Sequence, residues 1–445
     1  MLQKKLKNKL FAKVREITPL KLSRFFIYAF ILFLPFQINV VTYTTFTFDG
    51  GNFNPFTSVF IYLTDFLFLF AFIFWAGSIF TREYKEKITY GNPIVFLLFF
   101  IFLIVAEVSV LFAYDQFLAF SLVIRLFEFM LVYFFLINKV VRLETLINFF
   151  LISVVFQAVV AILQYIFQSS IGLGFLGEST IGPEVEGVAK IDVGDEKVMR
   201  AYGTLPHPNI LAGYLLTGII LTFHKLKTKV HFALPVLITL VAAFILAFSR
   251  GAFLAILVAA LIYYSIKDTK LSFKYLILIA VGLFFMIVLF NLEQTFFSRM
   301  IFSDAASFNE RVMYFNISKY MMYLNPFGIG IGNFTLALPE YTALNLAPWQ
   351  FQPVHNAYML VMNELGIHGA VIFLGIFGTF AVSLFKKMKK SIKSEKVLGA
   401  LLIAALVGIF VVGLFDHYTF SLYPGLGLLF IIFSISGKYF SKEIY

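Results

Sequence analysis

The sequence predicts an all-α integral membrane protein of about twelve transmembrane helices with both termini cytoplasmic. Three observations carry that prediction. The 445 residues are 60% hydrophobic and 13% charged, with a mean hydropathy of +0.91, whereas a soluble domain charges roughly a quarter of its residues. Apolar runs long enough to cross a bilayer recur along the whole chain. The cationic residues crowd into alternate connections between those runs.

The runs fall at 25–42, 58–80, 94–112, 118–137, 146–167, 207–223, 232–248, 252–266, 275–291, 355–385, 397–415 and 419–437. Helix is the conformation open to them, because each backbone N–H and C=O must find its partner inside its own segment. The first run follows a basic lead but has no small-residue cleavage site, so it reads as a span. With the N-terminus inside, 27 of the 35 Lys and Arg lie in inner connections, seven lie outside, and Arg125 alone lies within a run. A missed or extra span would invert every later connection and destroy that asymmetry. The absence of cysteine excludes disulfides and thiolate metal sites. No pair of histidines has the i, i+4 spacing with a carboxylate that a metal site needs, so no metal or other cofactor is expected. Nothing in the charge pattern points to nucleic acid.

Two long outer connections remain. Residues 168–206 carry six carboxylates (Glu178, Glu184, Glu186, Asp192, Asp195 and Glu196) against Lys190, Lys197 and Arg200. Residues 292–354 are too many for a turn before the tenth span. They should contain a helix capped by Asn309 and stopped at Asn325-Pro326. Met313, Ile317, Tyr320 and Leu324 give that helix one apolar stripe, so it should lie in the membrane interface. The run of Gly328, Gly330 and Gly332 reads as a tight turn, not a dinucleotide motif, because no strand precedes it.

The candidates for chemistry sit at the outer ends. The run opening at His355 spans about 31 residues, near 46 Å at 1.5 Å per residue, so its first turns should project from a core about 30 Å thick. His355 would then stand at an exposed helix N-terminus, where the dipole favours the neutral imidazole a general base requires; the competing reading is a histidine that only caps the loop. Arg250, in a connection too short to be solvated, suits bidentate recognition of phosphate or snorkels to lipid headgroups. Arg200 and Arg311 read as phosphate ligands or as surface ion pairs. Within the runs, Asp65, Glu107, Arg125 and Glu128 should find partners in the bundle interior, Arg125 and Glu128 as an i, i+3 pair. Glu364 and His368 should share a helix face, and Asp416-His417 should lie at an outer tip that could line the same site.

Four ordered segments resemble the O-antigen ligase and O-antigen polymerase superfamily of polytopic glycosyltransferases. They are Arg200–Gly213 (RAYGTLPHPNILAG), Ser249–Ala252 (SRGA), Glu310-Arg311 with Asn325–Asn333 (NPFGIGIGN), and His355–Gly366 (HNAYMLVMNELG). The resemblance divides the chain into N-terminal spans (1–199), a ligase-like core (200–385) and C-terminal spans (386–445). It implies transfer of a glycan from an undecaprenyl-diphosphate carrier to a lipid or glycan acceptor at the outer face of the cytoplasmic membrane. In that reading Arg250 and Arg311 match the family's diphosphate arginines and His355 its essential histidine, with Arg200 joining the diphosphate site. Asn209, Asn356, Glu364 and Asp416 are supporting residues, and His207 is given no role. Ligase and polymerase remain open on the residues alone. The alternative of another class is a solute or lipid-linked-glycan transporter, against which stand the charges at the outer rim in place of midplane broken helices, and the lack of repeats.

Overall fold

The computed structural model describes residues 18–45, 54–193, 196–226, 229–267, 305–343, 346 and 350–441. The expected span at 275–291 and the residues around Arg299 lie outside them.

The described chain is helical apart from two small hairpins. Helix α1 (Pro19–Phe33) is followed by strands β1 (Asn39–Thr44) and β2 (Ser58–Tyr62), paired antiparallel with Asn39 opposite Tyr62. The helices α2 (Leu63–Phe80), α3 (Pro93–Ser109), α4 (Gln116–Ile137) and α5 (Leu143–Phe167) come next. A second hairpin joins β3 (Lys190–Val193) to β4 (Glu196–Met199). Then follow α6 (Pro208–Lys225), α7 (Val230–Leu246) and α8 (Arg250–Lys267). The C-terminal part holds α9 (Ala305–Leu324), α10 (Phe334–Ala337), α11 (Ala357–Lys390), α12 (Lys393–Phe415), α13 (Tyr418–Ser421) and α14 (Tyr423–Phe440). Among the described residues seven helices are long and apolar enough to cross a membrane, and Val230–Leu246 and Arg250–Ile266 are shorter apolar helices. The chain is thus a multi-pass, all-α membrane protein.

Two expected boundaries shift. The first span stops at Phe33, and the β-branched run from Asn39 to Thr44 extends into the hairpin. The second begins only at Leu63, since residues 58–62 form β2. The third run holds as Pro93–Phe112, but Glu107 near its end lies on the exposed surface and not in the bundle interior. The intramembrane ion cluster does form. Arg125 donates to both Asp65 oxygens at 2.5 and 3.0 Å, to Phe60 O at 2.9 Å and to Glu128, and its guanidinium lies 4.6 Å from the ring centroid of Tyr423.

The glycine turn and α11 explain each other. Gly328, Gly330 and Gly332 all have positive φ. Their loop inserts into a break in α11 at Gly366, itself at φ 73°. There Ile329 and Gly330 donate to the carbonyls of Asn363 and Glu364 at 3.0 Å, and Ile367 donates to Pro326 O at 3.1 Å. Carbonyls that a helix break would leave unmet at membrane depth are thereby satisfied. The break turns Glu364 and His368 apart: Glu364 is buried and His368 exposed, so the expected shared face is absent.

Helix α9 starts at Ala305, four residues ahead of Asn309, and stops at Leu324 as Asn325-Pro326 requires. Its buried stripe is Tyr314, Ile317, Ser318 and Met321. Tyr320 and Leu324, the other end of the expected apolar stripe, are about half exposed within the protein (53% and 50%). The polar Ser318 takes a buried place because it accepts from Asn363 Nδ2 on α11 at 2.6 Å.

A methyl group on Gly366 would lie 2.6 Å from the Phe327 backbone at a φ that side chains resist. Gly366→Ala should therefore cost roughly 2 kcal/mol or more, read as a fall in Tm of the detergent-purified protein. Gly375→Ala on the same helix, whose nearest atom is 3.8 Å away, should be neutral or stabilising.

Candidate functional site

The ends of α6, α8, α9, α11 and α12 converge on a cavity of about 660 Å³ lined by Arg200, His207, Asn209, Arg250, Arg311, His355 and Asp416, with Lys190 at its edge. Four cationic side chains face a single carboxylate among these lining residues.

Local sequence delivers each group. Pro208 sits in the first turn of α6, and His207 caps that helix, its Nδ1 accepting from the Asn209 N–H at 3.1 Å. Nδ1 must then be unprotonated, which puts the ring proton of the neutral form on Nε2. Arg250 is the first residue of α8. The next residue, Gly251, lets α8 meet α12, since a Cβ there would lie 3.0 Å from Phe415 Cβ. Arg311 reaches across from α9 to donate to Phe415 O at 3.2 Å. Asn356 caps α11, accepting from the Tyr358 and Met359 N–H groups, while its amide donates to Leu414 O at 3.0 Å. His355 therefore precedes the cap instead of opening the helix, and it is half-buried at the cavity wall instead of projecting into water.

The surface ion-pair readings of Arg200 and Arg311 do not hold. Arg200 is buried: it donates to Ala247 O at 2.9 Å and to Asn209 Oδ1 at 2.8 Å. Asn209 passes that contact on, its amide donating to Asp416 Oδ2 at 2.7 Å. Asp416 Oδ1 accepts from the His417 N–H at 2.8 Å. An asparagine can bridge a guanidinium to a carboxylate in this way because it carries an acceptor and a donor at one end.

The structure brings Arg200, Asn209, Arg250, Arg311, His355 and Asp416 together and leaves two expected members out. Glu364 is buried away from the cavity, near the Phe334 N–H at 3.4 Å, and lines a separate space of about 100 Å³ with Arg125. Asn356 acts on the main chain, as the cap. Sequence reasoning gave His207 no role, although the His-Pro-Asn opening of α6 carries the signature of a capped helix start with proline in its first turn.

The histidines share one electrostatic fate. Burial pushes His355 down to about 3, the nearby Asp416 opposes this, and His417 and Arg311 add to it. Burial likewise takes His207 to about 3, with Arg200 contributing. His417 is lowered by burial against the pull of Asp416. Burial by itself favours the protonated form of Asp416; the neighbouring imidazoles and the Asn209 amide outweigh it and hold the carboxyl at about 2. Arg311 feels burial and Arg250 as lowering its affinity for the proton and Asp416 as raising it, and a guanidinium stays charged throughout. At neutral pH the cavity thus holds neutral imidazoles, an ionised Asp416 and an excess of positive charge. The Nδ1 of His355 is buried without a hydrogen-bond partner, and its ring lies 5.5 Å from that of His417.

Residues 235–374 match the family model described as O-antigen ligase. The match bears out the resemblance drawn from the motifs and supports membership of the O-antigen ligase superfamily. It covers Arg250, Arg311 and His355, and leaves Arg200, Asn209 and Asp416 outside its limits. No curated protein matches the chain.

The depressed histidines make stability pH-dependent. Below about 6.5 the unfolded chain takes up protons that the native His355 and His207 refuse, so stability is complete above that pH and falls as pH drops from about 6.5 towards 3. Tm followed between pH 8 and 4.5 should decline on the acid side, and less steeply in His355→Gln. An unchanged slope in that variant would mean that the native ring takes up its proton normally.

Proposed function

We propose that the protein is a metal-independent glycosyltransferase of the O-antigen ligase type. It moves a glycan from an undecaprenyl-diphosphate carrier to an acceptor hydroxyl at the outer face of the cytoplasmic membrane. The observation that carries this reading is the one cavity in which three arginines and an unpartnered imidazole nitrogen meet beside a single carboxylate. A carboxylate substrate would also suit guanidiniums. The excess of cations over Asp416 and the matched family favour the more highly charged diphosphate.

The chemistry follows from the groups present. The acceptor oxygen bonds to C1 of the donor sugar while the bond from C1 to the bridging phosphate oxygen breaks and its electron pair leaves with the lipid diphosphate. Arg250 and Arg311 stabilise the charge growing on that oxygen, in a site whose donors are already oriented. His355 takes the hydroxyl proton. Burial, with Arg311 adding to it, outweighs the pull of Asp416 and makes the imidazole a weak base. A diphosphate cancels the field of Arg311 and raises the ring's proton affinity towards the range where a general base works best. Arg200, Asn209 and Asp416 are linked in one chain of hydrogen bonds at the same cavity, which fixes the orientation of the amide between them. The twelve-span topology with both ends cytoplasmic belongs to this reading, since it sets the cavity at the outer face.

Within the family, a polymerase would use a second lipid-linked repeat as acceptor. A transporter is the reading from another class, and the broken helix at Gly366 is the feature that could favour it. The break is filled by the backbone of Ile329 and Gly330, so its carbonyls are not free for an ion or solute.

His355→Ala should lower transfer by about 10²–10⁴-fold with expression and Tm retained. Arg311→Lys should also lose activity, since an ammonium cannot grip a diphosphate bidentately. Both are read as surface glycan in a complemented deletion strain. Loss of all long chains with accumulation of lipid-linked polymer indicates ligase, and single-repeat attachment indicates polymerase. Unchanged glycan in the His355→Ala strain would sink the assignment.

A further inference from the structure

We propose that His417 is the positioning residue for His355: a ring nitrogen of His417 accepts the hydrogen bond of His355 Nδ1–H and holds the base with its other nitrogen turned to the cavity. This role rests on His355 being the group that takes the acceptor's proton. His355 lines the cavity, yet its Nδ1 is buried without a partner. The nitrogen left to meet a substrate is therefore Nε2. To take a proton there, the neutral ring must carry its own proton on Nδ1. Once Nε2 is protonated as well, the ring is a cation with a buried donor that nothing meets, which is costly. A base so placed needs an acceptor behind it.

His417 is placed to be that acceptor. Its ring centroid lies 5.5 Å from that of His355, with the planes at 77°. Two imidazoles joined by an N–H···N bond of ordinary length have centroids about 5 Å apart. A small rotation and a closure of about half an ångström make the bond, and catalytic contacts of this kind often tighten only with substrate in place. Two other groups near His355 are engaged elsewhere. Tyr314 lies beside it with ring centroids 6.1 Å apart, but its hydroxyl donates to Gln350 O at 2.6 Å. The Asp416 oxygens accept from the His417 N–H at 2.8 Å and from the Asn209 amide at 2.7 Å.

The partner of His417 sets which of its nitrogens is the acceptor. Ser421 Oγ lies 2.6 Å from His417 Nδ1 and donates to His417 O at 3.1 Å. A hydroxyl has a single proton, so Ser421 accepts from Nδ1, and the proton of the neutral His417 ring sits there. Nε2 of His417 is then a lone pair. Each donor in the row thus has an acceptor: Ser421 gives to the main chain, His417 to Ser421, His355 to His417, and the attacking hydroxyl to His355. The substrate proton ends on His355 Nε2, and His417 receives a hydrogen bond but no proton. Phe56 packs edge-on against His417 with centroids 5.3 Å apart, and His417 is 4% exposed, so its ring is held in place.

Two measurements test this. Nitrogen NMR of the full-length, histidine-labelled protein in bilayers distinguishes the two neutral tautomers. His417, identified by the signal lost in H417Q, should carry its proton on Nδ1; a proton on Nε2 would overturn the proposal whatever the activity. For the second, membranes of the deletion strain supply donor and acceptor to the purified protein. H417F keeps the shape of the ring without the acceptor. Its initial rate should fall about 10- to 100-fold, the worth of one hydrogen bond to a charged group, with Tm and the dependence on the amount of membrane unchanged. H417Q keeps an acceptor oxygen and should recover most of the rate. A full rate in H417F, or equal loss in both variants, overturns the positioning role while His355→Ala stays slow. A full rate in His355→Ala instead removes the base assignment beneath it. Should H417F fail to fold, S421A takes its place: His417 should then populate both tautomers and transfer should slow, and an undisturbed tautomer at full rate would overturn the role.

Discussion

The structure depends on how like charges are held together around one cavity. Arg200, Arg250, Arg311 and Lys190 share its wall with one carboxylate, and such crowding costs more as water is excluded. Main-chain carbonyls steady two of the guanidiniums, Ala247 O for Arg200 and Phe415 O for Arg311. Those bonds satisfy donors and fix directions, yet they neutralise nothing. Burial first, and the arginines after it, keep the proton affinities of His207 and His355 low, while Asp416 stays ionised. An arrangement that weakens the isolated fold and is relieved by an anion is what a binding site for a polyanion requires.

One helix end organises that wall. The last carbonyls of α12 have no partners within their own helix, and three in succession are used. Leu414 O accepts from the Asn356 side chain, Phe415 O from Arg311, and Asp416 O from the Ala357 N–H at 3.2 Å. The start of α11, the flank of α9 and the carboxylate of Asp416 are thereby clamped to one point. His355 stands immediately before that clamp. The glycine loop seals the break further along α11, so the helix carrying the histidine is braced on two sides without being continuous.

How much of this was legible follows from where charge is scarce. In a chain this apolar an outer arginine stands out, and Arg200, Arg250 and Arg311, with His355 and Asp416, could be singled out before any geometry was known. Hydropathy could not separate the strands β1 and β2 from the helices beside them, because five or six residues of Val, Thr, Tyr, Phe and Ile fit either conformation. Counting apolar residues could not place Ser318 on the buried face of α9, where it bonds Asn363. Gly366 looked like any glycine in an apolar run; the break there is set by the loop at 326–330, which lies outside the helix in sequence. His207 was given no role, though its capping role could have been read from Pro208 and Asn209.

The contrast with Arg125 says why burial of an arginine is not enough to mark a site. Arg125 is met by Asp65, Glu128, the Phe60 carbonyl and the faces of Tyr62 and Tyr423. Both terminal nitrogens have two acceptors each and the charge is cancelled, so it ties α2, α4 and α14 together and asks for nothing more. Arg311 has a carbonyl and a distant share of one carboxylate. The difference lies in the ratio of cations to carboxylates within reach. A ratio of one or below, as at Arg125 with its two carboxylates, ends in a structural tie, and a ratio well above one leaves a field that an incoming anion can balance.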